Sequence, residues 1–376
     1  MPIYKMKGSK DGLQKYRIRI NYHDMSGNAR QIDRVAYGLD NAKELEMRLN
    51  RDIKKEAPAR RLTLQKLYDE YVETKKHEVR ESSLDKSKRI LKRYVLSDLG
   101  EHQLNKFTLP ILQKWKLSIA NTGLAQQTKK NIYGEFHALL NYAVKMEYLP
   151  NNPLDKVGTF KDKLTVKKEM LYYTAEEFKK YLAAARENAE KAEKGGDMFE
   201  WHYYVFFAIA FYTGLRKGEI HGLRWDDING DYLSVKRSIT QKLGNGDRET
   251  PPKNRSSIRT LQIPKPLKDV LHEHYKRCKD APNFNEQCKV CGIFKSLRDS
   301  TLEKRNQQFA ESAGVKKIRI HDFRHSHASL LANEGINIQE IARRLGHSKI
   351  EITWNTYSHL YPREEERAIK ILDKIV

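Results

Sequence analysis

The chain has 376 residues, of which 39% are hydrophobic. That length is enough for two or three domains with cores of their own, and the apolar content argues against wholesale disorder. The 71 Lys and Arg residues outnumber the 49 Asp and Glu residues and leave a net charge of +22. This excess favours a polyanionic partner such as nucleic acid, held by counterion release. The alternative is a basic surface that only keeps the protein soluble.

Neither a membrane protein nor a disulfide-rich secreted protein is indicated. The longest apolar run, Tyr203 to Tyr212, is ten residues, about half of the roughly 20 needed to cross a bilayer. The N-terminus has no apolar segment of the signal-peptide type. Three cysteines are too few for a disulfide scaffold. We therefore expect a cytoplasmic protein with no membrane partner.

Residues 1–56 predict a small sheet followed by a helix. Apolar and polar residues alternate from Tyr16 to Tyr22, which is the period of a strand with one buried face. Arg17 and Arg19 share the opposite face, where they either contact a DNA groove or face solvent. A second strand is predicted from Ile32 to Tyr37. The charged, Pro-containing stretch that follows the helix predicts a linker.

Residues 61–156 predict a compact helical domain. Apolar residues recur at helical spacing in four segments. One helix is expected to begin after Thr108, with Pro110 in its first turn, where the missing N–H costs nothing. We interpret the aromatic residues of these helices as core and not as base-stacking groups. A second basic linker follows.

Residues 170–376 predict a mixed α+β third domain that is mostly helical. Thr174 and Glu177 have the spacing of a capping box that opens its first helix. A hairpin-like insertion is expected from about Asp231 to Pro264. The apolar positions between Arg363 and Val376 predict a terminal tail helix.

Four short segments of this third domain carry residue types suited to phosphate chemistry. In the first, an apolar helix stops at Gly214, and Arg216 after it can offer a rigid fork of donors to a phosphate. In the second, Lys253 lies at the predicted hairpin tip, from which a lysine can reach into a DNA groove and donate a proton. Taken singly, such residues are more often ordinary surface positions.

The third segment contains His321 and Arg324, which are three residues apart and share one helix face. A metal site is the alternative interpretation, because His325 and His327 are close by. These histidines lack a Cys or Glu at zinc-site spacing, and the arginine would repel a cation. We predict no metal here.

The fourth segment is Leu345-Gly346-His347 and the helix that follows it. Ser348 and Glu351 have capping-box spacing and predict where that helix begins. Tyr357 is then two to three turns along it. Alone, a tyrosine on such a helix is usually core packing with its hydroxyl at the rim.

Together, the four segments resemble the tyrosine recombinase family, and most closely the integrases of phages and conjugative transposons. The order of the motifs carries the resemblance: Arg216, Lys253, His321-x-x-Arg324, Leu345-Gly346-His347 and Asn355-Thr356-Tyr357-Ser358-His359. It covers the third domain motif by motif. The helical middle domain looks more loosely like the family's core-binding domain, and the N-terminal sheet and helix look like its arm-binding domain.

The resemblance implies a site-specific recombinase that cleaves and rejoins DNA through a 3′-phosphotyrosyl link. It assigns the nucleophile to Tyr357, the phosphate clamp to Arg216 and Arg324, phosphate hydrogen bonds to His321 and His347, and the general acid to Lys253. Glu219 is expected to be structural. Fixed guanidinium groups can stabilise the developing charge without a metal, and the ester conserves the energy of the cleaved bond. No cofactor is expected.

The implied partners are double-stranded DNA, at core and arm sites, and three further copies of the chain in a homotetramer on DNA. The tail is expected to dock on a neighbouring subunit. The reaction would then take place at the bacterial nucleoid. The sequence leaves open the DNA sites, the direction of recombination, a phage or transposon origin, and any help from a host bending protein or an excisionase.

Three rival interpretations fit part of the pattern. A resolvase of the Xer kind has only the middle and third domains, so the N-terminal module favours an integrase. Type IB topoisomerases share the chemistry but fit the short motifs less well. A DNA-binding regulator without catalysis is disfavoured, because all six expected catalytic side chains are present.

The three cysteines are candidates for a metal site. Cys278, Cys288 and Cys291, with His272 and His274 upstream, could ligate zinc. Their spacing is irregular, and the resemblance places them in a variable loop. We therefore predict unpaired loop cysteines and no metal.

Overall fold

The computed structural model describes residues 3–23, 29–56, 62–161, 170–242, 246–250, 255–361, 369 and 372–373. Lys253 and the predicted tail helix, apart from Ile369, Leu372 and Asp373, lie outside the described residues. By its internal contacts the chain divides into two units, Met1–Val166 and Lys167–Val376. Within the described ranges, no helix combines the length and the apolar character needed to cross a membrane.

The N-terminal module is a three-stranded antiparallel sheet with one helix. Its elements are β1 (Ile3–Lys10), β2 (Leu13–His23), β3 (Ala29–Tyr37) and α1 (Leu39–Glu56). The predicted alternation in β2 is confirmed, because Ile18 and Ile20 are buried and form a small core with Ala42 of α1. Strand β1 was not predicted; most of its residues are exposed, as on a sheet edge, and it shows no apolar alternation.

Arg17 and Arg19 lie on the face of β2 opposite this core. Both guanidinium groups pair with Asp33 on the neighbouring strand, with Nε of Arg17 2.8 Å from a carboxylate oxygen. About two fifths of each arginine side chain is exposed. Such partly exposed cross-strand pairs contribute modestly to stability. The module therefore presents two arginines on one face with a carboxylate between them.

The next region is helical and has an aromatic core. Its elements are α2 (Leu64–Glu78), α3 (Glu81–Leu91), a π-helical turn (Lys92–Leu96), α4 (Ser97–Leu99), α5 (Leu109–Ala120), α6 (Gln126–Lys145) and α7 (Leu154–Val157). Trp115 and Phe136 pack edge to face at 4.8 Å between ring centres, and both are buried. The interpretation of these aromatic residues as core is confirmed. Thr108 directly precedes α5, with Pro110 in the first turn, as predicted.

The second unit is a helical domain with small antiparallel strands. Its helices are α8 (Ala175–Lys194), α9 (Trp201–Thr213), α10 (Lys217–Gly222), α11 (Lys265–Cys278), α12 (Asp299–Ser312), α13 (Asp322–Asn333), α14 (Ile338–Leu345) and α15 (Ile350–Tyr357). Its strands are β4 (Ile228–Asn229), β5 (Tyr232–Val235), β6 (Ser238–Lys242), β7 (Gly246–Thr250) and β8 (Arg259–Gln262). Strands β4, β5 and β8 form one sheet, and β6 and β7 form a hairpin, so the predicted insertion is confirmed.

Helix α9 is the centre of this unit. It is apolar on all sides, and a helix of that kind is stable only when it is surrounded by protein. It packs against α8, α11 and α13, and its Phe207 contacts Phe323 of α13. The helix ends at the predicted Gly214, which has a φ of +65°. A Cβ there would lie 2.8 Å from a ring carbon of His327, so glycine permits both the left-handed turn and the close packing.

Two predicted capping boxes have different outcomes. The hydroxyl of Thr174 accepts the Glu177 N–H, and the Glu177 carboxylate accepts the Thr174 N–H, so the first box is present. The box predicted for Ser348 and Glu351 is wrong. Helix α15 begins at Ile350 without a side-chain cap, because the residues after Gly346 close α14 and place His347 against α15.

Candidate active site

The C-terminal end of α14 gathers three arginines. Its final carbonyl groups have no partner within the helix, and they carry the negative end of the helix dipole. Each of three successive carbonyl oxygens accepts a bond from a different guanidinium group: Arg344 from Arg259 (2.6 Å), Leu345 from Arg324 (2.6 Å) and Gly346 from Arg216 (3.2 Å). The three arginines come from β8, from α13 and from the turn before α10. One helix end thus fixes three cations together.

Glu219 on α10 ties two of these arginines to each other. Its carboxylate lies 2.8 Å from Arg216 and 3.0 Å from Arg259, and it is 3% exposed. Burial raises the pKa of Glu219, but Arg259 and then Arg216 outweigh this effect and hold the pKa below its usual value. The carboxylate therefore stays ionised and keeps both guanidinium groups in place, in line with its expected structural role.

Arg324 is held without a counterion among the described residues. Its guanidinium donates to the carbonyl oxygens of Gly214 (2.8 Å) and Leu345 (2.6 Å), and no described carboxylate lies within ion-pair distance. Burial, followed by the charge of Arg216, lowers the pKa of Arg324 to about 9. A buried cation of this kind is costly unless an anion completes its environment. The cluster is therefore a preorganised anion site.

His321 and His347 border the cluster. His321 directly precedes α13 and is exposed; partial loss of hydration and then the charge of Arg324 lower its pKa. His347 is half-buried, with Nδ1 2.7 Å from the Thr353 hydroxyl. Burial and then Arg324 lower the pKa of His347 to about 4. Both rings are therefore neutral at neutral pH and can each donate one N–H without adding charge.

Tyr357, the last residue of α15, is 1% exposed. Its hydroxyl lies 2.6 Å from Nδ1 of His325. Burial raises the pKa of Tyr357 to about 12, against a smaller lowering by Arg324. Burial, and then His321, lower the pKa of His325 to about 4. A protonated phenol therefore faces a neutral imidazole, and in the tautomer with hydrogen on Nε2 the Nδ1 atom accepts a hydrogen bond from the phenol.

The structure brings five of the six predicted catalytic residues together. Electrostatic interactions link Arg324 with Arg216, Tyr357, His321 and His347. The sixth, Lys253, lies outside the described residues.

Three further residues at the site were missed from the sequence: Arg259, His325 and Thr353. Arg259 and Leu261 are the two buried positions of β8, so period-two alternation was a usable signal for an inward-facing arginine. Thr353 is one helical turn before Tyr357, a spacing that could have indicated a shared face. No sequence signal distinguishes His325 from His327, the other histidine of α13, because the partner of His325 is distant in sequence.

Comparison with protein families gives two matches. The phage integrase family matches residues 172–364, and the N-terminal SAM-like domain of phage integrases matches residues 63–117. The ICEBs1 integrase of Bacillus subtilis is 27% identical over 99% of this chain and 100% of its own length. A XerC-like tyrosine recombinase of Caldanaerobacter subterraneus is 29% identical over 70% of each chain.

Solved structures share the fold. The Tn1549 transposon integrase, in complex with transposon right-end DNA, superposes with a TM-score of 0.66 at 20% identity and covers 83% of this chain and all of its own. A lambda integrase tetramer bound to a Holliday junction gives a TM-score of 0.57 at 16% identity, over 95% of this chain and 94% of that one.

The fold, the arginine cluster and the buried tyrosine together define a tyrosine-type site-specific DNA recombinase, an enzyme that cleaves and rejoins DNA strands. The chain belongs to the phage integrase family. Its reaction integrates or excises a mobile element. The resemblance seen in the sequence is confirmed.

Proposed function

We propose that Tyr357 attacks a DNA phosphodiester held at the arginine cluster. The bond from its phenolic oxygen to phosphorus forms as the bond to the 5′ oxygen breaks, which leaves a 3′-phosphotyrosyl link. The observation that carries this proposal is the cluster of three guanidinium groups beside a buried tyrosine. Glu219 pairs with Arg216 and Arg259, and Arg324 has no carboxylate partner among the described residues. Such a site is complete only with an anion. Rejoining reverses the step and needs no ATP, because the ester conserves the bond energy.

Arg216 and Arg324 are proposed to clamp the phosphate. Negative charge develops on its non-bridging oxygens during attack, and fixed donors stabilise that charge without reorganisation. His347 is proposed to donate from Nε2, since Thr353 engages its Nδ1. His321 supplies a second imidazole donor from the solvent side. Lys253 is proposed to protonate the leaving 5′ oxygen.

His325 is proposed to receive the proton of Tyr357. The 2.6 Å contact is already in place, and the imidazole of His325 is neutral, so it has a nitrogen lone pair for the proton. Arg324 stabilises the phenolate that forms, because its charge lowers the pKa of Tyr357. The nucleophile is thereby activated from within the protein.

We predict that His325→Ala slows covalent adduct formation by about 10²-fold, the size of a lost general base, with unchanged DNA binding. His325→Asn keeps a hydrogen-bonding group near the tyrosine but cannot take up the proton, so it is expected to remain slow. His359→Ala, which changes an exposed histidine two residues after the nucleophile, is the control and is expected to react at the wild-type rate. Single-turnover cleavage measures all three, and a normal rate for His325→Ala would contradict the proposed role.

We further propose three functional parts: an arm-binding module at residues 1–56, a core-binding domain at 61–156 and a catalytic domain at 170–376. Arg17 and Arg19 are proposed arm-DNA contacts, for which a DNA phosphate would compete with Asp33. The net charge of +22 supports DNA as the partner. The lambda integrase structures, a dimer on a core site and a tetramer on a Holliday junction, support the proposal of a homotetramer on DNA. The reaction is then placed at the bacterial nucleoid.

The experiment that tests the proposed chemistry uses a nicked duplex made from the DNA that flanks the gene. Cleavage of this duplex releases a short strand and traps the intermediate. A band that migrates slowly on a denaturing gel is expected, and the peptide that carries the DNA remnant should contain Tyr357. An adduct on another residue would overturn the assignment of the nucleophile. Good binding without any adduct, across many sites, would favour a DNA-binding protein without catalysis.

A further inference from the structure

A second cluster of reactive side chains lies in the second unit, away from the catalytic residues in sequence. His202 of α9 and His274 and Cys278 of α11 place their ligand atoms within 4.8 Å of one another, and all three residues are buried. His274 and Cys278 are four residues apart, so they lie on consecutive turns of one helix face. The Sγ atom of Cys278 is 3.6 Å from Nε2 and 4.0 Å from Nδ1 of His274. His202 completes the group from another helix.

The Cys288–Cys291 turn lies against this cluster. Its Val290 carbonyl oxygen is 2.8 Å from Nε2 of His274, and the Gly292 N–H donates to Nδ1 of His202 at 3.1 Å. The turn closes through a bond from Lys289 N–H to Ile293 O, and Gly292 has a φ of +97°. The Asn285 N–H points to Sγ of Cys288 at 3.4 Å. A tight Cys-x-x-Cys-Gly turn with an N–H···S contact suits a pair of metal-binding sulfurs.

All three cysteines are free, as predicted, and all three are buried. Cys288 and Cys291 lie between α11 and α12, whereas the prediction of a loop position is wrong for Cys278. Cys278 ends a helix, and its thiol interacts electrostatically with both Cys288 and Cys291. The two upstream histidines differ in burial: His274 is 2% exposed, whereas the side chain of His272 faces solvent. Only His274 belongs to the cluster.

The histidines distinguish a metal site from simple core packing. Cysteine alone can fill an apolar core as a small hydrophobic residue, whereas the two buried imidazoles are polar and contact the backbone of the turn. Both imidazoles are buried, and histidine binds metal in its neutral form. When Nε2 of His274 donates to Val290 O, its Nδ1 keeps a lone pair 4.0 Å from the Cys278 sulfur. Metal-binding histidines commonly donate their second N–H to a carbonyl in this way.

We propose that His202, His274 and Cys278, together with one sulfur of the Cys288–Cys291 turn, bind a zinc ion. Two nitrogens and two sulfurs match the tetrahedral preference of zinc, and a set closed by four protein ligands is structural. The ion would link α9 and α11 to the turn between α11 and α12. This inference is independent of the proposed roles of the catalytic residues, and its test needs no DNA.

The test measures metal content in the full-length protein. After incubation with zinc and removal of excess, wild type and the control His272→Ala are expected to retain about one zinc per chain. Cys278→Ser and His274→Ala are expected to retain none. Cobalt(II) in place of zinc should give wild type a thiolate-to-metal charge-transfer band that is absent from Cys278→Ser. This optical readout reports the sulfur ligand directly.

Two further results decide the assignment. Loss of zinc from either Cys288→Ser or Cys291→Ser would identify the fourth ligand, whereas retention by both variants and by the double variant would overturn the four-ligand site. Circular dichroism checks that each variant is folded. Folded wild-type and His272→Ala proteins that hold neither zinc nor cobalt would overturn the proposal entirely.

Discussion

Tyr357→Phe is expected to abolish the covalent DNA adduct while leaving DNA binding unchanged. The substitution removes the hydroxyl that attacks phosphorus and keeps the buried ring, which packs in a small apolar cluster with Ala328, Ile341 and Leu345. The folded state loses one hydrogen bond, to His325, at a cost of about 1 kcal/mol. The measurement is a denaturing gel with the nicked duplex, paired with a mobility-shift assay for binding.

Tyr361→Phe provides the matched control for this variant. Tyr361 contacts the same apolar cluster, and its hydroxyl donates to Ile336 O at 2.6 Å, so the chemical change and the surroundings are similar. We expect this variant to form the adduct at a rate close to wild type. An adduct that survives in Tyr357→Phe would show that another residue is the nucleophile.

Arg324→Lys is expected to slow cleavage by roughly 10²–10³-fold, the usual effect of removing one fixed donor from a site of developing charge. The guanidinium spans the carbonyl oxygens of Gly214 and Leu345 while it faces the anion site. An ammonium group has no planar fork and cannot hold both carbonyls and a phosphate at once. Because many other cations contribute to DNA affinity, binding is expected to change much less than the rate.

The comparison for this variant is Arg319→Lys. Arg319 lies five residues earlier, its side chain is 79% exposed, and it pairs with Asp322 at the start of α13. We expect the cleavage rate of Arg319→Lys to stay near that of wild type under the same single-turnover conditions. A wild-type rate for Arg324→Lys, or an equal loss in both variants, would contradict a specific role for Arg324 at the phosphate.

The predictable part of the molecule depended on local pattern. Alternation in β2 and the helix stop at Gly214 each follow from neighbouring residues, and both were predicted correctly. The edge strand β1 was missed, because it buries little and therefore carries no alternation. The start of α15 was also misplaced. There α15 begins without a side-chain cap, and it is His347 that contacts the helix, through Thr353.

The sequence by itself determined the reaction class of this protein, because the order of its short motifs is a property of the chain. Only the tertiary structure decided how the cations are held. The three arginines meet at the end of α14 because that helix leaves carbonyl groups without partners, which no single motif reveals. The tertiary structure also decided that His325 contacts the nucleophile and that His202 lies close to His274 and Cys278. Contacts between residues distant in sequence can be identified only from the packing of whole helices, because the neighbours of each side chain depend on every element around it.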